Sequence, residues 1–169
     1  SHIYIEKSAL EHEFCHEILT NLNSATRIIV DDYKALFLRR NQNFNLQKQS
    51  KCLILAVKTG PFIYEVSKYA QVGNLLNPFY TSLSLNCLYD CSYCYLQGMF
   101  PSANMVCFVN IQDYFNSVES EIAQRKHHSQ PLFLSLSYDT DLLALENISP
   151  FCDRWIQFAH KQSNFMGEI

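Results

Sequence analysis

The chain has 169 residues, 48% of them apolar and 14% aromatic, with a formal net charge of −3. This is ample material for a packed core and excludes a wholly disordered chain, while the slight acidity gives no global attraction to phosphates, so any nucleic-acid surface has to be local. No apolar run is long enough to span a bilayer, and the opening SHIYIEKSALEHEF carries three Glu and no signal-peptide core, so the expected compartment is the cytoplasm, without a membrane partner.

In chain order, IYIE (3–6) reads as a short strand. The pattern Leu10, Phe14, Ile18 and Leu22 predicts a helix, with Ser8 and Glu11 spaced as a capping box. ATRIIVDD (25–32) is a β-branched strand, so strand, helix and strand form a βαβ unit with parallel strands. Lys34, Arg39, Arg40, Lys48 and Lys51 make a loose basic stretch, read as a solvated face, and NQNFNLQKQSK (41–51) reads as a polar loop. CLILAVKT (52–59) suits a strand buried on both faces. Residues 1–70 are expected to form a small N-terminal α/β unit, and residues 71–169 a second domain.

In that second part FYTSLSL (79–85) is a strand running directly into the loop CLYDCSYCYLQ (87–97). Asn110 is placed to cap a helix over 111–127, with Asp113 at its third position and a buried stripe of Ile111, Tyr114 or Phe115, Val118 and Ile122. PLFLSLSY (131–138) is the next strand. Ser149 and Pro150 open a further helix with Cys152, Trp155, Ile156 and Ala159 on one face, and MGEI begins a third strand. Such alternation implies parallel strands with right-handed helical crossovers, and ligands then sit at the strands' carboxyl ends. The cysteine loop and SYDTD (137–141) both leave such ends, so they are expected to face one pocket.

Three of the seven cysteines, Cys87, Cys91 and Cys94, fall within eight positions. In a reducing compartment clustered thiols indicate metal binding rather than disulfides. Structural zinc or a closed cluster needs a fourth ligand, for which only Cys107, in the apolar MVCFVN, and the His127–His128 pair are available downstream. Three ligands leave a position open, the mark of a catalytic centre. A non-catalytic binding module stabilised by zinc or an iron–sulfur cluster, with Cys107 or His127 as fourth ligand, is the alternative.

Cys-x3-Cys-x2-Cys with Tyr93 before the last cysteine resembles the cluster motif of the radical S-adenosylmethionine superfamily. CLYDCSYCYLQ with CFVN (107–110), together with IYIEKSALEHE and KCLILAVKTG, is similar to the spore photoproduct lyase family over most of the chain. The resemblance implies an α/β fold in which the small N-terminal unit is followed by the first strand–helix units of an incomplete, partial TIM-type barrel. It implies a [4Fe-4S] cluster on Cys87, Cys91 and Cys94, S-adenosylmethionine chelated at the open iron, and reductive cleavage to a 5′-deoxyadenosyl radical that abstracts hydrogen. The implied reaction is repair of a DNA pyrimidine lesion, with DNA as partner and a flavodoxin or ferredoxin as electron donor.

The same resemblance places the cofactor's methionine end on the second strand's loop, where many members carry a Gly-Gly-Glu-type segment. Here Ser135, Ser137, Thr140 and Asp141 offer hydroxyls and a carboxylate suited to an ammonium; residues of these types also make turns and caps. Tyr93 is expected to shield the cluster, and Tyr95 matches a family position given a radical relay role. The family's cysteine hydrogen donor aligns with Tyr138, whose O–H bond is stronger than S–H. Only two strand–helix units and a further strand are visible where the family has about six, so the chain is expected to be a fragment or truncation with weak or no catalysis by itself.

Overall fold

A computed structural model describes residues 2–70 and 72–169. β1 (His2–Glu6) leads through a 3-10 turn (Lys7–Glu11) into α1 (Glu13–Asn21), and β2 (Thr26–Val30) returns parallel to β1 with Tyr4 opposite Ile28. Two short helices, α2 (Lys34–Phe37) and α3 (Phe44–Lys48), precede β3 (Leu53–Ala56) and β4 (Ile63–Glu65). Then come β5 (Pro78–Thr81), β6 (Ser84–Leu85), β7 (Met105–Phe108), α4 (Ile111–Gln124) and β8 (Leu132–Ser135). A 3-10 turn (Leu143–Leu145), α5 (Phe151–His160) and β9 (Phe165–Glu168) follow.

The strands form two sheets, in the orders β2-β1-β3-β7-β6 and β4-β5-β8-β9. In the first, β6 alone runs antiparallel, on β7; in the second, β4 alone does, on β5. The expected parallel strands and helical crossovers are thus present, with α4 leading from β7 of the first sheet to β8 of the second and α5 connecting β8 to β9. Ile54, Leu55 and Ala56 of β3 are buried, as a strand covered on both faces requires. Glu6 ties three strand ends together, its carboxylate accepting from the backbone N–H of Tyr33 (3.2 Å) and of Val57 (2.9 Å).

The sheets interleave along the chain. β4 belongs to the sheet of the later strands, while β6 and β7 complete the sheet of β1. The expected division near residue 70 falls between β4 and β5, inside the second sheet, and adjoins residue 71, outside the described residues.

Several local expectations need correction. No side-chain capping bond forms at Ser8 and Glu11, because that segment is a 3-10 turn and α1 starts only at Glu13. The supposed loop 41–51 contains α3, capped by Asn43, whose Oδ1 accepts from Leu46 N at 3.0 Å. The single strand 79–85 is split, since Thr81 Oγ1 bonds Phe62 O (2.6 Å) in one sheet while Phe108 N bonds Leu83 O (3.1 Å) in the other. Asn110 occupies the cap position of α4 without a side-chain cap. Its amide instead clasps Lys58 N and Lys58 O, both at 2.9 Å, and Asp113 at 2.7 Å. The N-terminus of α5 is satisfied by neither Ser149 nor Pro150 but by Glu146, which accepts from Cys152 N and Asp153 N, both at 2.9 Å. Ile156, placed on the buried stripe, faces solvent.

One continuous core joins the layers. Phe115 of α4, Trp155 and Phe158 of α5 and Phe165 of β9 pack ring against ring at 4.6–6.0 Å. Phe14 of α1 meets Phe151 of α5 edge-on at 4.9 Å, beside the Glu17–Arg154 ion pair. Among the described residues no helix is long and apolar enough to cross a membrane.

Candidate metal and cofactor site

β6 delivers the chain into the cysteine loop through Asn86, which takes a left-handed conformation (φ 64°). Asn tolerates that region better than most residues because its short amide can bond locally. Its buried amide donates to Ser102 O and Asn104 O, both at 2.7 Å, while Asn104 Oδ1 accepts from Cys52 N at 3.1 Å. The entry and exit of the loop are therefore stitched together and to the start of β3. Replacing Asn86 with alanine is expected to cost about 2–3 kcal/mol, by straining the backbone and leaving two carbonyls unpaired. Asn86→Gly keeps the conformational freedom and should recover part of that loss in urea unfolding.

Within the loop, Cys94 N bonds Cys91 O (3.0 Å) and Gln97 N bonds Cys94 O (3.1 Å), so successive turns carry the last two cysteines. All three thiols are free and half-buried. They line a pocket of about 240 Å³ together with Tyr95 and with Ser137, Tyr138, Thr140 and Asp141 from the carboxyl end of β8. The two loops leave strands of different sheets, β6 and β8, and meet at this pocket.

Ser137 Oγ accepts from Leu142 N (3.4 Å) and Asp141 Oδ1 from Ala144 N (3.1 Å), so both serve the local turn while facing the pocket. Thr140 Oγ1 is buried without a partner, and so is Asp139 Oδ1, whose other carboxylate oxygen accepts from the Ser82 hydroxyl. A buried polar atom left unpaired is costly, and in Thr140 it belongs to a residue that lines the pocket. Ser135 stays within β8 and is not among the pocket's lining residues. Tyr93 is 91% exposed and also lies outside the lining.

The Tyr95 hydroxyl donates to the backbone carbonyl of Tyr138. Partial burial, reinforced by Asp139, Tyr138 and Cys94, pushes the Tyr95 phenol up to about 12. The Tyr138 ring stacks on Tyr80 (4.1 Å), which stacks on Tyr64 (5.1 Å), and Lys58 lies 4.9 Å from the centre of the Tyr64 ring. Burial lowers Lys58 to about 8, against the pull of Asp139.

Residues absent from the sequence-derived set also shape the pocket. Lys48, Lys51 and Phe44, on or just after α3, line it. Lys51 Nζ donates to Cys87 O and Leu88 O, both at 2.9 Å, and Lys48 Nζ sits 2.5 Å from Asp90 Oδ1. These two lysines are thus drawn onto the loop instead of forming part of a solvated face. Their only signal in the sequence is a helix cap at Asn43 followed by basic residues.

Cys107 is fully buried on β7 against Ser84 Oγ (3.5 Å), and burial pushes its thiol up to about 11. His127 is exposed, its backbone N–H bonded to Asn77. Among the described residues no three His, Cys, Asp or Glu side chains are placed to hold one metal ion. Zinc, with Zn–S near ~2.3 Å, would require the thiolates to close in on a point, whereas a multi-iron cluster takes each thiolate on a different iron. The donor set of three soft thiols beside an unpaired hydroxyl suits such a cluster with a polar ligand next to it.

No protein-family model matches the chain, and no curated protein matches it in sequence. Solved structures do match in fold. A substituted spore photoproduct lyase superposes with a TM-score of 0.78 at 16% identity, over 98% of this chain and 47% of that one. Spore photoproduct lyase complexed with dinucleoside spore photoproduct gives 0.77 at 16% identity, with the same coverage. A doubly substituted form with bound AdoMet and dinucleoside spore photoproduct gives 0.76 at 17% identity, again covering 98% and 47%. The chain therefore spans about half the length of the structures it matches. Over nearly all of its own length it has the α/β fold of spore photoproduct lyase, the fold that the sequence resemblance implied.

Proposed function

We propose that this chain is the cofactor-binding part of a radical S-adenosylmethionine enzyme of the spore photoproduct lyase type. The observation that carries the reading is the convergence of Cys87, Cys91 and Cys94 with the 137–141 segment, which follows the carboxyl end of β8, around one pocket. Cys87, Cys91 and Cys94 are the ligands of a [4Fe-4S] cluster, and S-adenosylmethionine is the ligand of the adjoining space. When bound, that pair supplies one-electron radical chemistry.

The chain's own part is to hold and orient. Thr140 offers its unpaired hydroxyl, and Asp141 keeps a carboxylate oxygen beyond the one that caps the 3-10 turn, a pairing suited to an amino acid's ammonium. Ser135 and Ser137 belong to the same strand end, and Ser137 retains its hydroxyl proton for a carboxylate. Tyr95 and Tyr138 are the phenols at the reacting end, with Tyr138 standing where the family has its cysteine donor. Tyr93 stands in solvent on the loop and takes no part in lining the pocket.

The full-length enzyme would act on a pyrimidine lesion in DNA, in keeping with the dinucleoside lesion held by the fold's solved relatives, and would draw its electron from a flavodoxin or ferredoxin. Anaerobic reconstitution with iron and sulfide should give a brown chain carrying about four irons. Addition of S-adenosylmethionine should change its electron paramagnetic resonance spectrum, and Thr140→Val should weaken that response about tenfold in cofactor concentration. A colourless chain holding one zinc would overturn the proposal.

A further inference from the structure

α3 and the turn after it touch the cysteine loop at three separate places. Gln47 Oε1 accepts from Ala103 N (2.9 Å) and the Ser102 hydroxyl (3.2 Å) at the loop's exit. Lys48 pairs with Asp90, which also accepts from Gln97 Nε2 at 2.6 Å. Lys51 spans the carbonyls of Cys87 and Leu88. The loop has little regular structure of its own, so these contacts from a distant segment set its shape.

We propose that Lys51 is a positioning residue for the cysteine loop, fixing the carbonyls of Cys87 and Leu88 on either side of the Leu88 α-carbon and placing a positive charge beside the pocket. Two carbonyl oxygens held by one ammonium restrict the backbone dihedrals around Leu88, and these dihedrals aim the Cys87 side chain relative to Cys91 and Cys94. Ammonium-to-carbonyl bonds are charge-assisted and stronger than neutral ones. The charge has a second consequence, which rests on the cluster reading above. A cluster on three thiolates gains negative charge when reduced, and a fixed cation nearby favours that gain.

The test uses Lys51→Met, which keeps the stem and removes the charge, and Lys51→Arg, which keeps both. In the metal-free chain, amide hydrogen exchange across residues 87–92 should become about tenfold faster or more in Lys51→Met and stay near the parent rate in Lys51→Arg. After reconstitution, the midpoint potential of Lys51→Met should move to more negative values, with Lys51→Arg close to the parent. Lys48→Met guards against a folding defect at position 51. It should loosen the loop less, because Gln97 still holds Asp90. Unchanged exchange in Lys51→Met would overturn the positioning role, and faster exchange with an unchanged potential would overturn the charge effect. A parent chain that takes up no iron would sink the cluster reading and the charge effect together, while the exchange comparison would still decide the positioning role.

Discussion

Substituting Cys91 by alanine is expected to cut the iron retained after anaerobic reconstitution from about four per chain to below one. Cys91 is the middle one of the three proposed ligands, and its backbone carbonyl accepts the Cys94 N–H, a contact that does not involve the thiol. The turn therefore survives the substitution, and the lost iron reports ligand chemistry rather than a collapsed loop. A [4Fe-4S] cluster on three thiolates would have one iron free of protein, and on two it would be open to solvent and to loss of iron. Cys107→Ala is the matched control. Its thiol is buried against Ser84 and pushed up to about 11 by that burial, so at neutral pH it is protonated and a poor ligand. Cys107→Ala should therefore stay brown. If Cys91→Ala kept its iron, the three-ligand assignment would be wrong. If Cys107→Ala lost its metal, the zinc or closed-cluster module would become the better reading.

The largest effect on folding is expected at Trp155. Trp155→Ala should lower the unfolding free energy by about 4 kcal/mol, a large share of the stability of a domain this size. The side chain is 1% exposed and lies at the centre of the aromatic cluster that seats α5 on α4 and β9. Its indole N–H has no partner, so the loss comes from packing and not from a broken hydrogen bond. Trp155→Phe removes that unpaired group while keeping a ring, and should cost only about 1–2 kcal/mol. Trp155 is the sole tryptophan, so urea unfolding has to be followed by circular dichroism. Near-equal losses for the two variants would show that the indole volume is not what holds α5.

Where burial imposed a period, reading it off the residues was reliable. Phe14 and Ile18 in α1, Tyr114 and Val118 in α4, and the continuous apolar run of β3 all lie in the core. α3 was missed for the complementary reason. Phe44 is its only half-buried apolar residue and Leu46 is 62% exposed, so no apolar stripe marks it. A cap at Asn43 and bonds to the distant cysteine loop hold it instead. The capping residues of α4 and α5 failed similarly. Asn110 is engaged by Lys58, 52 positions away, and Glu146 outbid the nearer Ser149 for the first amides of α5.

The break between β5 and β6 shows the limit most clearly. FYTSLSL has an unbroken strand character, and nothing within it says that Thr81 pairs in one sheet and Ser84 in the other. That choice depends on which distant strands are available to each half, through long-range pairing that local pattern does not encode.

Local pattern was enough for the α/β class, the parallel crossovers and the cysteine loop's place at a strand end, because burial periodicity and ligand spacing are written in neighbouring residues. Of the four residues that the family resemblance singled out, Ser137, Thr140 and Asp141 share the pocket with the three cysteines and Ser135 does not. Three matters were settled only by packing across the chain: the interleaving of the two sheets, the placement of Tyr93 in solvent and Tyr95 against Tyr138, and the clamping of the cysteine loop by Lys48 and Lys51. The physical reason is common to all three. Each depends on contacts between segments that lie tens of residues apart, and only the folded chain brings those segments together.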